Sequence, residues 1–298
     1  MQTQSAKQFQ QSWLEHQRSR HNNPDKYKLV STGLFTLDDI IGGGYELGQY
    51  VLIGGAQKSG KTTLLMKFMK AAALQERRFI WFGAEMNNLQ LGTMIFSNIT
   101  GIERSKIRRI GLEMFDWPAL EQAGHDIENW QGYFNYGFST TKDISTVLEE
   151  IEQETGEPIE IIFGDYIQLM ESPTTKGGRS YEIEAISRAI KHLTLDRKQP
   201  MACVFAAQLN RESIRGRLVD ANAFLGSGSL ERDMDLGMII HDVREEDNPD
   251  HIIKNQKDII IVGSRETATG EVRVLYNGAT AEIQDMDLSQ RPEVDYWS

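Results

Sequence analysis

The chain has 298 residues, a formal net charge of -11, and 40% hydrophobic and 25% charged residues. That length suits one large domain or two small ones, and the composition is that of an ordinary globular protein with a sizeable core. The acidic balance argues against a surface coated in basic nucleic-acid contacts, but it leaves room for DNA held in a narrow channel by a few loops.

The amino terminus, "MQTQSAKQFQQSW", lacks the apolar stretch of a signal peptide, and no apolar run approaches the ~18–20 residues of a spanning helix. Neither points to a membrane. Cys203 is the single cysteine, so it forms no internal disulfide. It sits in "MACVFAAQ" and reads as a small core residue in a reducing cytosol. The expected location is cytoplasmic.

In chain order, residues 5–20 carry Ala6, Phe9 and Trp13 at spacings of three and four, one apolar stripe on a polar helix. "HNNPDK" breaks it. Such a helix docks either on its own domain or on a neighbouring subunit. Residues 1–28 are read as this arm, 29–284 as the main domain and 285–298 as an acidic, loosely held tail. From residue 50 the pattern alternates. "YVLIGG", "RFIWFGAE", "IEIIFGDYIQLM" and "MACVFAAQ" read as buried strands. "KTTLLMKFMKAAALQ", "NLQLGTMIFSNITG", "STVLEEIEQETG" and "YEIEAISRAIKHLTLDR" read as the helices between them. "LGMIIHDVR", "DIIIVGSR" and "EVRVLYNG" read as late strands. Fully apolar strands alternating with helices imply an α/β fold with a central, mostly parallel sheet flanked by helices. No internal repeat is evident.

"GGAQKSGKTT" fits G-x-x-x-x-G-K-[ST], with a strand before it and a helix after it. Gly55, Ala56, Gln57, Lys58, Ser59, Gly60, Lys61, Thr62 and Thr63 form the expected nucleotide-binding loop. Its glycines let successive backbone N–H groups point inward at phosphate oxygens, beside a helix N-terminus. Lys61 is expected to reach the β- and γ-phosphates, and the Thr62 hydroxyl to hold Mg²⁺. ATP and Mg²⁺ are therefore the expected ligands. Asp165 follows an apolar strand, and ligands of parallel sheets sit at strand carboxyl ends. An acid there can hold the Mg²⁺ shell. Glu85 ends another strand and reads as a general base, or as an acid near a helix start. Gln208 ends a third strand, where an amide can touch the γ-phosphate.

These residues, in this order, resemble the DnaB-type replicative helicases within the wider RecA-like ATPase superfamily. "FGAEMNNLQLGTMIFSNITGI", "FGDYIQLM", "YEIEAISRAIKHLTLDRKQPMACVFAAQLNR", "GSGSLERDMDLGMII" and "IIIVGSRETATGEVRVLYNG" are similar to that family's successive segments. The resemblance covers about residues 30 to 284. It implies a RecA-like P-loop core assembled as a homo-oligomeric ring, a hexamer, around single-stranded DNA, with a loader or primase as a further partner. It implies Glu85 as catalytic base, Asp165 as metal-shell acid, Gln208 as γ-phosphate sensor and Arg265 as an arginine finger reaching the next subunit. The family has Lys-Gln-Arg at the finger where this chain has Gly263, Ser264 and Arg265. The stretch "STGLFTLDDIIGGGYELGQYVLIGG" looks more like recombinase-type relatives. About 30 residues precede the core, which implies a minimal, viral or plasmid-type helicase without the primase-docking domain, working in a host cytoplasm if viral.

Two stretches read as DNA-binding loops. One, after Asp165, offers Lys176 and Arg179. The other, after Gln208, offers Arg211, Arg215, Arg217, Gly226, Ser227 and Gly228. Small residues admit a phosphate backbone, and arginines supply charge. The alternative is that these arginines form surface ion pairs. For the whole chain, a recombinase-type ATPase on single-stranded DNA and a non-motor regulatory ring are the rival readings.

Overall fold

The computed structural model describes residues 3–23, 27, 29–137, 140–172, 178–195, 199–209, 228–245, 251–265 and 268–286. Six strands run parallel: β1 (Tyr50–Gly55), β2 (Phe79–Gly83), β3 (Gly132–Tyr136), β4 (Ile161–Asp165), β5 (Ala202–Gln208) and β6 (Leu236–Arg244). Three more, β7 (Ile252–Ser264), β8 (Gly270–Asn277) and β9 (Glu282–Asp285), extend one edge in antiparallel pairs. The single sheet has the order β3-β2-β4-β5-β1-β6-β7-β8-β9. The mostly parallel α/β architecture is as the alternating apolar runs imply. β3 and β9 have no such run: β3 is half-exposed along most of its length, so tertiary pairing rather than local pattern makes it a strand.

Helices cover both faces. They are α1 (Ala6–Asn22), α2 (Phe35–Ile40), α3 (Lys61–Leu74), α4 (Asn88–Thr100), α5 (Arg104–Arg108), α6 (Trp117–Glu128), α7 (Thr141–Thr155), α8 (Arg179–Leu195) and α9 (Gly228–Asp233). Strand side chains alternate between faces. Val51 and Ile53 of β1 pack with Leu64, Leu65 and Phe68 of α3 and Leu91 of α4. Tyr50 and Leu52 face Leu148 of α7 and Ile186 and Ile190 of α8. Each such side chain, fully buried, contributes about 1.5–3 kcal/mol. Local signals set the helix ends. Asn87 and Gln90 form a capping box at α4, and Thr140 and Asp143 form one at α7.

α1 forms where the stripe predicts it, with a capping box between Ser5 and Gln8. None of its residues is buried; Phe9 is 62% and Trp13 53% exposed. Arg20 pairs with Glu46 of the domain at 3.4 Å, and Tyr27, just after the helix, donates its hydroxyl to Ser19 Oγ at 3.0 Å and meets the His16 ring edge-on at 5.2 Å.

α2 has no side-chain cap of its own; its N-cap residue is Leu34. The cap comes from the far end of the chain. The Asp285 carboxylate accepts the Phe35 amide at 2.9 Å, the Thr36 amide at 3.0 Å and the Thr36 hydroxyl. An anion at a helix N-terminus is stabilising. Asp285, expected as the first residue of a loose tail, is instead the buried last residue of β9. The tail expectation for 287–298 lies outside the described residues.

Asp285→Ala removes this cap and lowers stability by about 1–2 kcal/mol, read as a lower urea midpoint with unchanged slope.

Candidate nucleotide site

β1 runs into the loop 56–60, and α3 begins at Lys61. Two glycines make the turn possible. Gly60 has φ 111°, the left-handed region that a side chain disfavours. At Gly55 a Cβ would lie 2.3 Å from Ser59 Oγ and 2.9 Å from the Ile240 carbonyl oxygen. The loop therefore packs directly against the β6 backbone. Ser59 and Thr63 are buried, whereas Gln57 and Lys58 are exposed. Lys61 folds back over the loop, its Nζ donating to the Gly55 carbonyl at 3.1 Å and the Ala56 carbonyl at 2.8 Å. Partial burial pushes its pKa down, opposed by the charges of Asp165 and Glu85.

Asp165 ends β4, two strands from β1. Thr62 Oγ1 donates to its Oδ2 at 2.9 Å. The carboxylate is 2% exposed, and its Oδ1 has no hydrogen-bond partner among the described residues. Burial raises its pKa to about 6, with the Thr62 hydrogen bond pulling the other way and Glu85 adding to the rise. A threonine hydroxyl beside a buried carboxylate with a spare oxygen is a hard, all-oxygen donor pair. It fits a magnesium ion, which is bound through one or two carboxylates plus phosphates.

Glu85 lies exposed two residues beyond β2, close enough to act electrostatically on both Lys61 and Asp165. Gln208 ends β5 directly opposite Gly55, and the Leu209 amide donates to the Gly55 carbonyl at 3.0 Å. One residue of the site is absent from the sequence reading. The Gln168 side chain donates to the Gln208 carbonyl at 3.0 Å and accepts the Gln208 amide at 2.9 Å. It sits three residues after Asp165 in "FGDYIQLM", a position whose sequence signal is one polar residue in an apolar run. It clamps the end of β5 to the turn that follows the buried acid.

Of the candidate DNA residues, Lys176, Arg211, Arg215, Arg217, Gly226 and Ser227 lie outside the described residues. Gly228 is the first residue of α9. Arg179 opens α8 and is tied down within the domain: it pairs with Glu182 and donates to the carbonyls of Gln168 at 2.6 Å and Met170 at 2.8 Å.

Arg265 lies at the opposite end of the parallel strands. Its amide donates to the Asp235 carbonyl at 3.0 Å, and the Asp235 amide donates to the carbonyl of Tyr50, the first residue of β1, at 2.8 Å. The glycine loop begins at the last residue of that strand. At ~3.3 Å per residue the two ends are roughly 16 Å apart, more than an arginine side chain spans. Arg265 cannot serve the loop of its own chain.

A glycine loop between strand and helix, backed by a hydroxyl and a buried acid at the carboxyl edge of a parallel sheet, is the arrangement of a P-loop nucleotide-binding fold. The chain belongs to the DnaB-like helicase C-terminal domain family, which it matches over residues 30–285. It is 27% identical over 263 residues to the replicative DNA helicase DnaB of Leifsonia xyli, covering 86% of this chain and 56% of that protein. It is 28% identical to the DnaB helicase of Haemophilus influenzae, covering 90% of this chain and 57% of that protein. The chain thus spans little more than half the length of these relatives. In structure it is similar to a solved ATPase domain, with a TM-score of 0.81 at 21% identity, covering 96% of this chain and 100% of that one. It is also similar to a DnaB-like replicative helicase described with its interactions with primase, with a TM-score of 0.75 at 22% identity, covering 87% of this chain and 63% of that one.

The burial of Asp165 gives a stability prediction. Its folded pKa, about 6, lies above the usual 3.8. The folded state therefore holds this proton more tightly than the unfolded state does. The ionised carboxylate costs stability above pH 6, and the cost disappears as pH falls towards 4. Asp165→Asn stabilises the protein by about 1–3 kcal/mol at pH 8 with no nucleotide or Mg²⁺ added. Urea unfolding at pH 8 and pH 4 checks this, and the gain should vanish at the lower pH.

Proposed function

We propose that the chain is the motor domain of a ring-forming DNA helicase. It hydrolyses ATP with Mg²⁺, moves along single-stranded DNA and unwinds duplex during replication. The observation that carries this reading is the separation of the phosphate loop from Arg265 along one strand. A subunit built this way has a nucleotide site at one end of β1 and a finger for another subunit's site at the other.

In this reading Lys61 binds the β- and γ-phosphates, and the Thr62 hydroxyl and Asp165 hold Mg²⁺. The bound metal neutralises charge on the phosphates. Glu85 takes the proton of the attacking water, and Gln208 contacts the γ-phosphate. Arg265 enters the next subunit's site and stabilises transition-state charge there, an effect that in other NTPases is worth about 10³–10⁵ in rate. The exposed stripe of Phe9 and Trp13 docks on a neighbouring copy. The exposed Ile110, Met114, Phe115 and Trp117 offer an apolar surface of the kind such an arm needs.

DNA runs past the residues that follow Asp165 and Gln208: Lys176, Arg179, Arg211, Arg215, Arg217, Gly226, Ser227 and Gly228. Gln168 links the two segments, so a change at the γ-phosphate reaches both. A loader or primase is the further partner.

The test is strand displacement on a forked duplex with ATP and Mg²⁺. The wild type should unwind it, while Lys61→Ala keeps its fold by circular dichroism and loses both ATP turnover and unwinding. ATP turnover without unwinding on any fork would reject the helicase reading. Turnover unchanged in Lys61→Ala would reject the phosphate loop. Trp13→Ala should shift the assembled ring towards smaller species in sedimentation.

A further inference from the structure

The finger's base holds a charge cluster that the reading above does not use. Asp235 sits just before β6 and is nearly buried, with its side chain 12% exposed. Its Oδ2 accepts the amide of Tyr50 at 2.8 Å and the ammonium of Lys191 from α8. Its Oδ1 faces Arg265 Nε at 3.4 Å, and Arg265 Nη2 donates to the Arg232 carbonyl at 2.7 Å. Two of the three guanidinium nitrogens are thus engaged at the root of the side chain's planar group. The side chain itself is 57% exposed.

These contacts divide into two sets with different needs. The Tyr50 amide needs only an acceptor, which an asparagine oxygen would supply equally well. Arg265 and Lys191 are cations and need the charge. A long arginine on a sheet edge loses rotamer freedom when it is held, and a guanidinium plane fixed in advance loses less when it meets its target. An Nε-side contact holds the plane while leaving Nη1 directed away from the carboxylate.

We propose that Asp235 is the positioning residue for Arg265, presetting the finger for the neighbouring subunit's nucleotide site. This rests on the reading of Arg265 as a finger acting in trans. Asp235 touches neither nucleotide nor the reacting atoms of its own site. Its effect is exported: the defect of an Asp235 variant belongs to the site next door.

Asp235→Asn tests this because it keeps size and the Tyr50 acceptor and removes only the charge. The expected result is a fall in kcat of about tenfold to a hundredfold, with KM for ATP within about twofold of wild type. The melting temperature also falls, because the mostly buried Lys191 loses its counter-ion, and the mixed rings below separate that loss from the effect on the finger. In the Arg265→Ala background the same substitution should cause no further fall in kcat. The decisive measurement uses mixed rings. Lys61→Ala subunits cannot turn over ATP but carry an intact Asp235 and Arg265. Mixed with Asp235→Asn subunits, they should restore turnover at the Asp235→Asn sites. No restoration, with Lys61→Ala plus Arg265→Ala rings active, would place the defect in the subunit's own site and overturn the proposal. Silence in that control mixture would instead remove the trans finger itself, and the Asp235 assignment with it. Wild-type turnover by Asp235→Asn would overturn the proposal directly.

Discussion

The hydrogen bond from Thr62 to Asp165 is the contact on which the site depends. It joins the first turn of α3 to the end of β4 across the intervening strand β5. For the two oxygens to meet, β1, β5 and β4 must be in register, and α3 must start where the left-handed Gly60 lets it start. The all-buried strands secure the first condition. Gly55 helps secure the second, because a side chain there would collide with Ser59 Oγ and the Ile240 carbonyl, so only glycine lets the start of the loop lie this close to β6. The position of one hydroxyl is thus set by the packing of the whole parallel half of the sheet.

That packing has an energetic cost concentrated at one atom pair. Asp165 is buried with one oxygen unpartnered among the described residues, and its raised pKa reflects the burial. A fold selected for stability alone would place an amide or an apolar side chain there. On the reading of Asp165 as a metal-shell acid, the carboxylate is kept for its chemistry at the expense of stability. Lys61 shows a milder form of the same conflict: its ammonium is held on two loop carbonyls in a setting that lowers its pKa.

Much of this is legible in the sequence, for identifiable reasons. The strand, glycine loop and helix at 50–74 are local, so their residues and their order suffice to place them. Asp165, Glu85 and Gln208 can be placed because each ends an apolar run, and the carboxyl ends of parallel strands share an edge. Gln168 is not legible, since its role depends on where the 3₁₀ turn after β4 brings it relative to β5. Asp235 is hidden for a similar reason. Its partners Tyr50, Lys191 and Arg265 lie far apart in the chain and meet only once β1, β6 and β7 pair. β3 lacks an apolar run because it is an edge strand, with most of its side chains half-exposed. The tail boundary misleads because a short polar strand ending in Asp looks like solvent-facing chain, and only its partner, α2, shows that the acid is buried.

That partnership has a consequence for how the chain matures. The amides of Phe35 and Thr36 are capped by a residue 250 and 249 positions further on. During synthesis from the amino end, α2 emerges early with its first turn uncapped, and stays so until β9 has been made. Loop closure over such a span is entropically costly and slow compared with local helix formation. The docking of β9 therefore comes late and fastens the beginning of the domain to its end. A chain stalled or cleaved before residue 285 would expose an uncapped helix and the uncovered edge of β8, a recognisable sign of incomplete synthesis for any protease that samples unpaired strands.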